Sequence, residues 1–340
     1  MAFLAPDEDG VTEGLVIGKF YPPHRGHGYL IDTALQNADR VTVLVCEKKE
    51  ETISGALRAR WIREMAPAAR VRVIPDIGAD DDSEAWALHT RRFLGYRPDL
   101  VFTSERYGPV FARHLGARHR MVDLKRTTVP IAARQIRADP EKYWNFLSPG
   151  AKAHYAKRVV VLGAESTGKT TLARALAARL KTNWVPEFGR YHYEGKALSG
   201  KPLRWSDEDF IHIARTQTQW EEALARTCQG WLVCDTNAFV TSVWQRRYLG
   251  RVSPEVEREA RRGRYHAALL LEDDLPFVQD GTRDGKSFRR RMQKMLVEEL
   301  NRRKIPVVRI RGRGPRRLAA AWAALQKSEF LPPTMEREKV

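Results

Sequence analysis

Eight residues constrain this chain more than any others: Gly163-Ala164-Glu165-Ser166-Thr167-Gly168-Lys169-Thr170. They follow the apolar run Arg158-Val-Val-Val-Leu162 and precede Leu172 to Leu180, whose apolar spacing is helical from about Thr171. A strand, a glycine-bearing loop and a helix in that order form a cradle for an anion in a parallel α/β sheet. Gly163 and Gly168 free the backbone to curl, so that N–H groups from Ser166 to Thr171 face phosphate oxygens at the helix N-terminus. Lys169 reaches the terminal phosphates and Thr170 holds magnesium, which makes ATP and Mg2+ the expected cofactors. A glycine-rich turn that only caps a helix is the structural alternative.

The partners of such a loop stand further along. Asp235 ends the apolar run Trp231-Leu-Val-Cys234, so a strand delivers its carboxylate to the magnesium or to the attacking hydroxyl. Glu187 and Arg190, after Trp184-Val-Pro186, are candidates for the acceptor's hydroxyls, with a helix-start ion pair as the other explanation. Asp280-Gly-Thr-Arg283-Asp284 and the following Arg289, Arg290 and Arg291 resemble a lid whose guanidinium groups, Arg283 first, neutralise a transferring phosphoryl. A solvated basic loop is the alternative there.

A chain of 340 residues exceeds the usual size of one domain. Ser148-Pro-Gly150 punctuates it, so two doubly wound α/β domains are expected, over residues 1–150 and 151–340. In the first, Gly14-Leu-Val-Ile-Gly18, the helical Tyr29 to Leu35 and Val41 to Val45 make a β-α-β unit, followed by a helix at Arg58 to Met65, strands at Val71 to Ile74 and Leu100 to Thr103, and a helix reaching Phe93. In the second, further strands are expected at Trp231 to Cys234, Ala267 to Leu271 and Pro306 to Ile310.

Lysine and arginine outnumber aspartate and glutamate by 59 to 42, a net charge of +17, which favours phosphate-rich partners. The excess is spread in small clusters such as Arg246-Arg247 and Arg261-Arg262, as a solvated surface would be, so nucleotides are better candidates than nucleic acid. No apolar run approaches the roughly 20 residues that span a bilayer. The three cysteines form no close pair, and the first residues lack the order of a secretory signal, so a cytoplasmic protein without a membrane partner is expected.

Gly18-Lys19-Phe20-Tyr-Pro-Pro-His24-Arg-Gly26-His27 closes the first strand and opens the first helix, where α/β sheets bind phosphates. Two histidines three residues apart can donate to one phosphate group, and adenylyl transfer needs little beyond such positioning and charge stabilisation. A structural pair and a metal site are the competing explanations, the latter without a nearby third ligand.

Together these blocks resemble the bifunctional nicotinamide-nucleotide adenylyltransferase and ribosylnicotinamide kinase family of bacterial NAD synthesis. The likeness spans nearly the whole chain. The first half resembles the nucleotidyltransferase through Gly18-Lys19-Phe20, His24-Arg-Gly-His27 and Ile131-Ala-Ala-Arg-Gln-Ile-Arg137. The second resembles the kinase through the phosphate loop, Glu187-Phe-Gly-Arg190, Asp209 to Ala214 with Gln217, Asp235-Thr236 and Asp280-Gly-Thr-Arg283. The resemblance implies the substrates ATP, ribosylnicotinamide and nicotinamide mononucleotide, and a role in NAD salvage.

The chain departs from the family pattern at three places. Ala132 and Arg134 stand where the nucleotidyltransferase motif has serine and threonine, although Arg137 is present, so nucleotide binding with weak adenylyl transfer is expected. Ile53-Ser54 with Arg58 mimics the motif too early in the chain. Asn237 replaces the last acid of the kinase's Asp-Thr-Asp, and the dozen residues before the first strand are too few for the helix-turn-helix domain of some members. Beside the enzyme, a non-catalytic NAD sensor and a nucleic-acid-binding ATPase remain open. The sequence decides neither homo-oligomer formation nor transfer of product between sites.

Overall fold

The computed structural model describes residues 10–79, 81–200, 202–278 and 285–327, and the chain divides into two compact units, residues 1–152 and 153–340. In the first unit β1 (Glu13–Gly18), β2 (Arg40–Glu47), β3 (Arg70–Pro75), β4 (Leu100–Thr103) and β5 (Arg118–Met121) form a parallel sheet in the order β3-β2-β1-β4-β5. Successive residues of β1 point to opposite faces, and both faces are buried. Val16 packs with α1 (Arg25–Leu35) and α2 (Gly55–Met65), while Leu15 and Ile17 pack with α3 (Ser83–Leu94) and α4 (Gly108–Leu115). The strand order reverses at β1, which opens a crevice at the carboxyl ends of β1 and β4.

β5 has no counterpart among the sequence expectations. Its four residues, Arg-His-Arg-Met, lie at the sheet edge with alternating exposure, so no apolar run announces it. Beyond it α5 (Ala133–Ala138) leads through a 3-10 turn to α6 (Pro149–Tyr155). An antiparallel bridge between Leu147 and His24 pins this segment to the histidine motif.

The second unit places β6 (Lys157–Leu162), β7 (Trp184–Val185), β8 (Trp231–Asp235), β9 (Ala267–Leu271) and β10 (Val308–Ile310) in a parallel sheet ordered β10-β9-β6-β8-β7. Here the reversal falls at β6. The helices are α7 (Lys169–Leu180), α8 (Phe188–Ala197), α9 (Asp207–Ala225), α10 (Ala238–Leu249), α11 (Pro254–Arg262), α12 (Lys286–Arg302) and α13 (Pro315–Gln326). Val159 and Val161 pack against Leu172 and Leu176 of α7 and Leu325 of α13. α7 starts at Lys169, two residues before the expected Thr171, because Gly168 at φ 80° already serves as its N-cap. α8 differs from its neighbours in burying none of its residues. Asp280 and Arg283 of the expected lid, and the tail from residue 328, lie outside the described residues. Among the described residues no helix is long and apolar enough to cross a membrane.

Candidate functional site

The residues of the phosphate loop come together as their spacing requires. Gly163 has φ +150°, and a Cβ there would lie 2.8 Å from Thr167 Oγ1 and 3.1 Å from the Leu271 carbonyl. Only glycine fits. Ser166 takes a left-handed φ of 57° without being glycine, a strain of the kind that anion-binding loops hold in place. Its hydroxyl accepts from Val278 N at 2.9 Å, while Thr167 Oγ1 donates to Ala164 O at 2.7 Å and Lys169 Nζ to the same carbonyl at 3.1 Å. Two braces escaped sequence reasoning. Gln293 on α12 accepts from Ala164 N at 2.8 Å and donates to Leu271 O at 2.9 Å. Arg317 on α13, nearly fully buried, donates to Thr167 O and to Asp274. Each is an ordinary polar residue of a helix in the sequence, with no motif around it.

Asp235 sits where β8 ends, 1% exposed. Thr170 Oγ1 donates to its Oδ2 at 2.5 Å, and its Oδ1 is buried with no hydrogen-bond partner. Burial, and then the Glu187 carboxylate, raise its pKa to about 6 against the opposing pull of Lys169, the Thr170 hydroxyl and Arg190. A buried carboxylate oxygen without a donor, beside a threonine hydroxyl, fits magnesium, which takes few protein oxygens and relies on phosphates and water for the rest. Asn237 does not continue the acidic pattern. It caps α10, accepting from Val240 N at 3.3 Å.

Lys169, Thr170, Glu187 and Arg190 line one cavity of about 410 Å³. Glu187 precedes α8, and Gln217 of α9 holds the chain on both sides of it, accepting from Phe188 N at 2.9 Å and donating to Pro186 O at 3.3 Å. Arg190 Nε donates to Glu194 at 3.0 Å. The lining also contains five aromatic residues: Tyr193, Trp205, Phe210, Trp244 and Tyr248. Trp205 stacks on Phe210 with centroids 5.1 Å apart, and Trp244 on Tyr248 at 5.8 Å. These residues come from α8, the loop after it, α9 and α10, so no short motif contains them.

In the first unit a cavity of about 700 Å³ is lined by Gly18, Lys19, Phe20, His24 and His27, with Arg137 at its edge. His24 caps α1 through Nδ1, which accepts from Gly26 N at 3.1 Å, and His27 Nδ1 accepts from His24 N at 3.3 Å. The rings stack 3.7 Å apart. With Nδ1 accepting in both, the neutral rings carry their proton on Nε2. Burial lowers the His24 pKa to about 4, with help from the Arg126 guanidinium, and burial, His24 and Arg126 hold His27 well below its ordinary value. Both are therefore donors without charge at neutral pH. Among the described residues no cluster of three or more metal-ligand side chains exists, so they have no metal partner set.

The cations lie around them. Lys19 pairs with Asp76 at 3.8 Å, and Arg137 donates to Tyr21 O at 2.5 Å and lies over the Tyr21 ring. Arg58 of the early motif mimic is fully buried, donating to the carbonyls of Lys19, Cys46 and Ile53 and pairing with Glu51. It supports the Lys19 turn from behind and is no phosphate ligand. Ala132 caps α5 without a side-chain hydrogen bond, and Arg134 is exposed and absent from the cavity wall, which Ala133 joins instead.

Two crevices at the carboxyl ends of parallel strands, one with a histidine pair and one with a phosphate loop, define a nucleotidyltransferase-type domain joined to a P-loop kinase-type domain. A family described as an AAA domain matches residues 158–317. The trifunctional NAD biosynthesis/regulator protein NadR of Escherichia coli (strain K12) is 31% identical over 325 residues, 88% of this chain and 78% of that protein. The protein of the same description from Salmonella typhimurium (strain LT2) is 29% identical over 324 residues, with the same coverage. This chain belongs to the NadR family. A crystal structure of NadR in complex with NR has the same fold at 20% identity and a TM-score of 0.74, covering 94% of this chain and 97% of that one. A second, in complex with NAD and AMP-PNP, gives 20% and 0.71, covering 95% and 97%.

Proposed function

We propose that the second unit phosphorylates the ribose of ribosylnicotinamide with ATP, and that the first joins AMP to nicotinamide mononucleotide, forming NAD and pyrophosphate. The observation that carries this is a cavity whose lining joins the aromatic rings to Lys169, Thr170 and Glu187, with Asp235 hydrogen-bonded to Thr170 behind the wall. Ribosylnicotinamide carries a flat, permanently cationic pyridinium ring. Indole and phenol faces attract such a cation, and the Glu187 carboxylate in the cavity's lining adds to the attraction and accepts hydrogen bonds from the ribose hydroxyls. The names of the relatives, and a NadR captured with NR, support the same substrate.

In this assignment Glu187, held by Gln217, orients the ribose, while Lys169 and the loop N–H groups stabilise the charge on the transferring phosphoryl. Thr170 and Asp235 would hold magnesium, which would supply charge neutralisation to the phosphate groups. Arg283 belongs to the proposal as a lid residue from the sequence alone. In the first unit His24 and His27 donate to the α-phosphate, and Gly18, Lys19, Phe20 and Arg137 line the nucleotide's path. The division of labour falls near residue 150.

A nucleic-acid role has less support. Arg246, Arg261 and Arg262 are engaged with Glu299, Glu257 and Glu259, so these arginines serve ion pairs within the protein. The test is turnover by the purified protein with ATP and magnesium. Ribosylnicotinamide should yield ADP and nicotinamide mononucleotide, and nicotinamide mononucleotide should yield NAD and pyrophosphate. ATP hydrolysis indifferent to the nucleoside would remove the kinase assignment.

A further inference from the structure

The neutral histidines bring no positive charge of their own to the first unit's cavity, and its two expected cations are engaged with the protein, Lys19 with Asp76 and Arg137 with the Tyr21 carbonyl. In adenylyl transfer, on which this inference rests, a phosphate oxygen of the mononucleotide bonds to the α-phosphorus of ATP. The α–β bridging P–O bond breaks, and pyrophosphate leaves with the electron pair. The departing group accumulates negative charge. His24 and His27 donate hydrogen bonds without charge, α5 is only six residues long with no side-chain cap, and Arg134 is outside the cavity wall.

One arginine outside the expected motifs faces the same space. Arg126 lines the cavity with His24, His27 and Ala132, and it is close enough to both imidazoles to lower their proton affinity. Its loop is held by Asp123, whose carboxylate accepts from the backbone N–H groups of Thr127 at 2.7 Å, Thr128 at 3.1 Å and Val129 at 3.0 Å, and from Thr127 Oγ1 at 3.2 Å. Asp123 and Arg126 both adopt left-handed backbone, φ 49° and 52°, a conformation unfavourable for either side chain. Arg126 N donates to Asp123 O at 2.8 Å, closing the turn between them. The loop keeps this shape because Asp123 over-determines it, and the shape turns Arg126 into the cavity.

Arg126 pairs there with Glu105 at 2.6 Å, and the two side chains are 38% and 55% exposed. An exposed pair of this kind is weak. A triphosphate carries more negative charge and more acceptor oxygens than one carboxylate, and a guanidinium binds it in a forked geometry. We infer that Arg126, positioned by Asp123, is the cation that binds the ATP phosphates and stabilises the departing pyrophosphate, with Glu105 holding its place until nucleotide displaces it.

The inference separates by sign from a loop staple. If the pair only fastens two loops, Arg126→Ala and Glu105→Gln break the same bond and both weaken the site. If Arg126 binds phosphate, the two diverge. Arg126→Ala lowers NAD formation about 100-fold and raises KM for ATP about tenfold, Arg126→Lys recovers part of the loss, and Glu105→Gln tightens ATP a few-fold. ATP binding is measured in parallel on full-length protein carrying Lys169→Ala, which disables the phosphate loop of the second unit. NAD formation by the parent protein that survives Arg126→Ala, or equal losses in both variants, overturns the inference. Arg126-dependent ATP binding without NAD formation by the parent protein supports Arg126 as the phosphate ligand and removes adenylyl transfer, and with it the leaving-group role, instead. A collapsed fold in Arg126→Ala is recognised by circular dichroism, and Glu105→Gln then decides by the direction of its effect.

Discussion

In the function proposed for this chain its two halves solve the same problem, holding a triphosphate at the switch point of a parallel sheet, with different materials. In the second unit the anion site is mostly backbone: a loop curled by Gly163 and Gly168 at the head of the twelve-residue α7, with Lys169 and Thr170 on that helix. In the first unit it is mostly side chains: two uncharged histidines, with Lys19, Arg126 and Arg137 around them. Backbone donors do not depend on the side chains of the residues that carry them, so Ala164 and Glu165 can stand inside the loop. Side-chain donors do depend on them, so the absence of hydroxyls at 132 and 134 is a testable loss. The sign of pH dependence differs too. Burial drives His24 and His27 to their neutral form and raises Asp235 toward its own.

The contrast is broken most severely at Lys169 or Asp235. Alanine at either position should lower ribosylnicotinamide phosphorylation by about 1,000-fold or more, since each removes charge aimed at the phosphoryl or its magnesium. NAD formation from supplied nicotinamide mononucleotide should stay near its parent rate. A parallel loss of both activities, measured in separate assays, would mean that the halves share a site. Arg317→Met tests the hidden brace: the Thr167 carbonyl and Asp274 lose a buried partner, at a cost of about 2–3 kcal/mol in stability. The expected signature is a lower unfolding temperature with a raised KM for ATP, and an unchanged melting curve would dismiss the brace.

Acid should act on His24 and Asp235 in opposite senses. His24 has a folded pKa below its unfolded value of 6.5, so the unfolded chain binds more protons between pH 6.5 and 4. Its contribution is full above pH 6.5 and is lost as pH falls toward 4, by at most about 3 kcal/mol. Asp235 has a folded pKa above its ordinary value, so its term instead favours the fold at low pH and weakens as pH rises from about 4 to 6. Calorimetry on the full chain should show the unfolding of the first unit moving to lower temperature on acidification. Kinase activity should also fall below about pH 6, because protonated Asp235 cannot hold a cation. Glu187→Gln removes the neighbouring charge and should shift that acid limb downward, whatever it does to the maximal rate. A limb that stays in place would show that Glu187 does not set it.

The smallest expected effect sharpens the comparison from the other side. Ala132→Ser with Arg134→Thr returns hydroxyls to the start of α5, and NAD formation should rise a few-fold, by about 1 kcal/mol of added hydrogen bonding. No gain, in steady-state rates at saturating mononucleotide, would mean that Arg126 already meets the need.

Much of this organisation is local in origin. The strand-loop-helix at 158–180 is legible because the glycines and the lysine must occupy fixed places in eight residues, and β1, β6 and β9 are legible because strands buried on both faces are continuous apolar runs. Asp235 could be picked out as the residue on which such a run ends. β5 was illegible because an edge strand needs no apolar pattern, and the capping role of Asn237, visible in the sequence only as a replaced acid, appears in the structure.

What the sequence by itself determined is therefore the pair of phosphate-binding turns, whose chemistry resides in neighbours along the chain. Tertiary structure alone decided the rest. Trp205 and Trp244 face one cavity, Gln293 and Arg317 brace a loop more than a hundred residues away, and Arg126 reaches the histidines across its strained turn. Such contacts join residues with no sequence relation to one another, and their geometry exists only once both sheets have closed their cores.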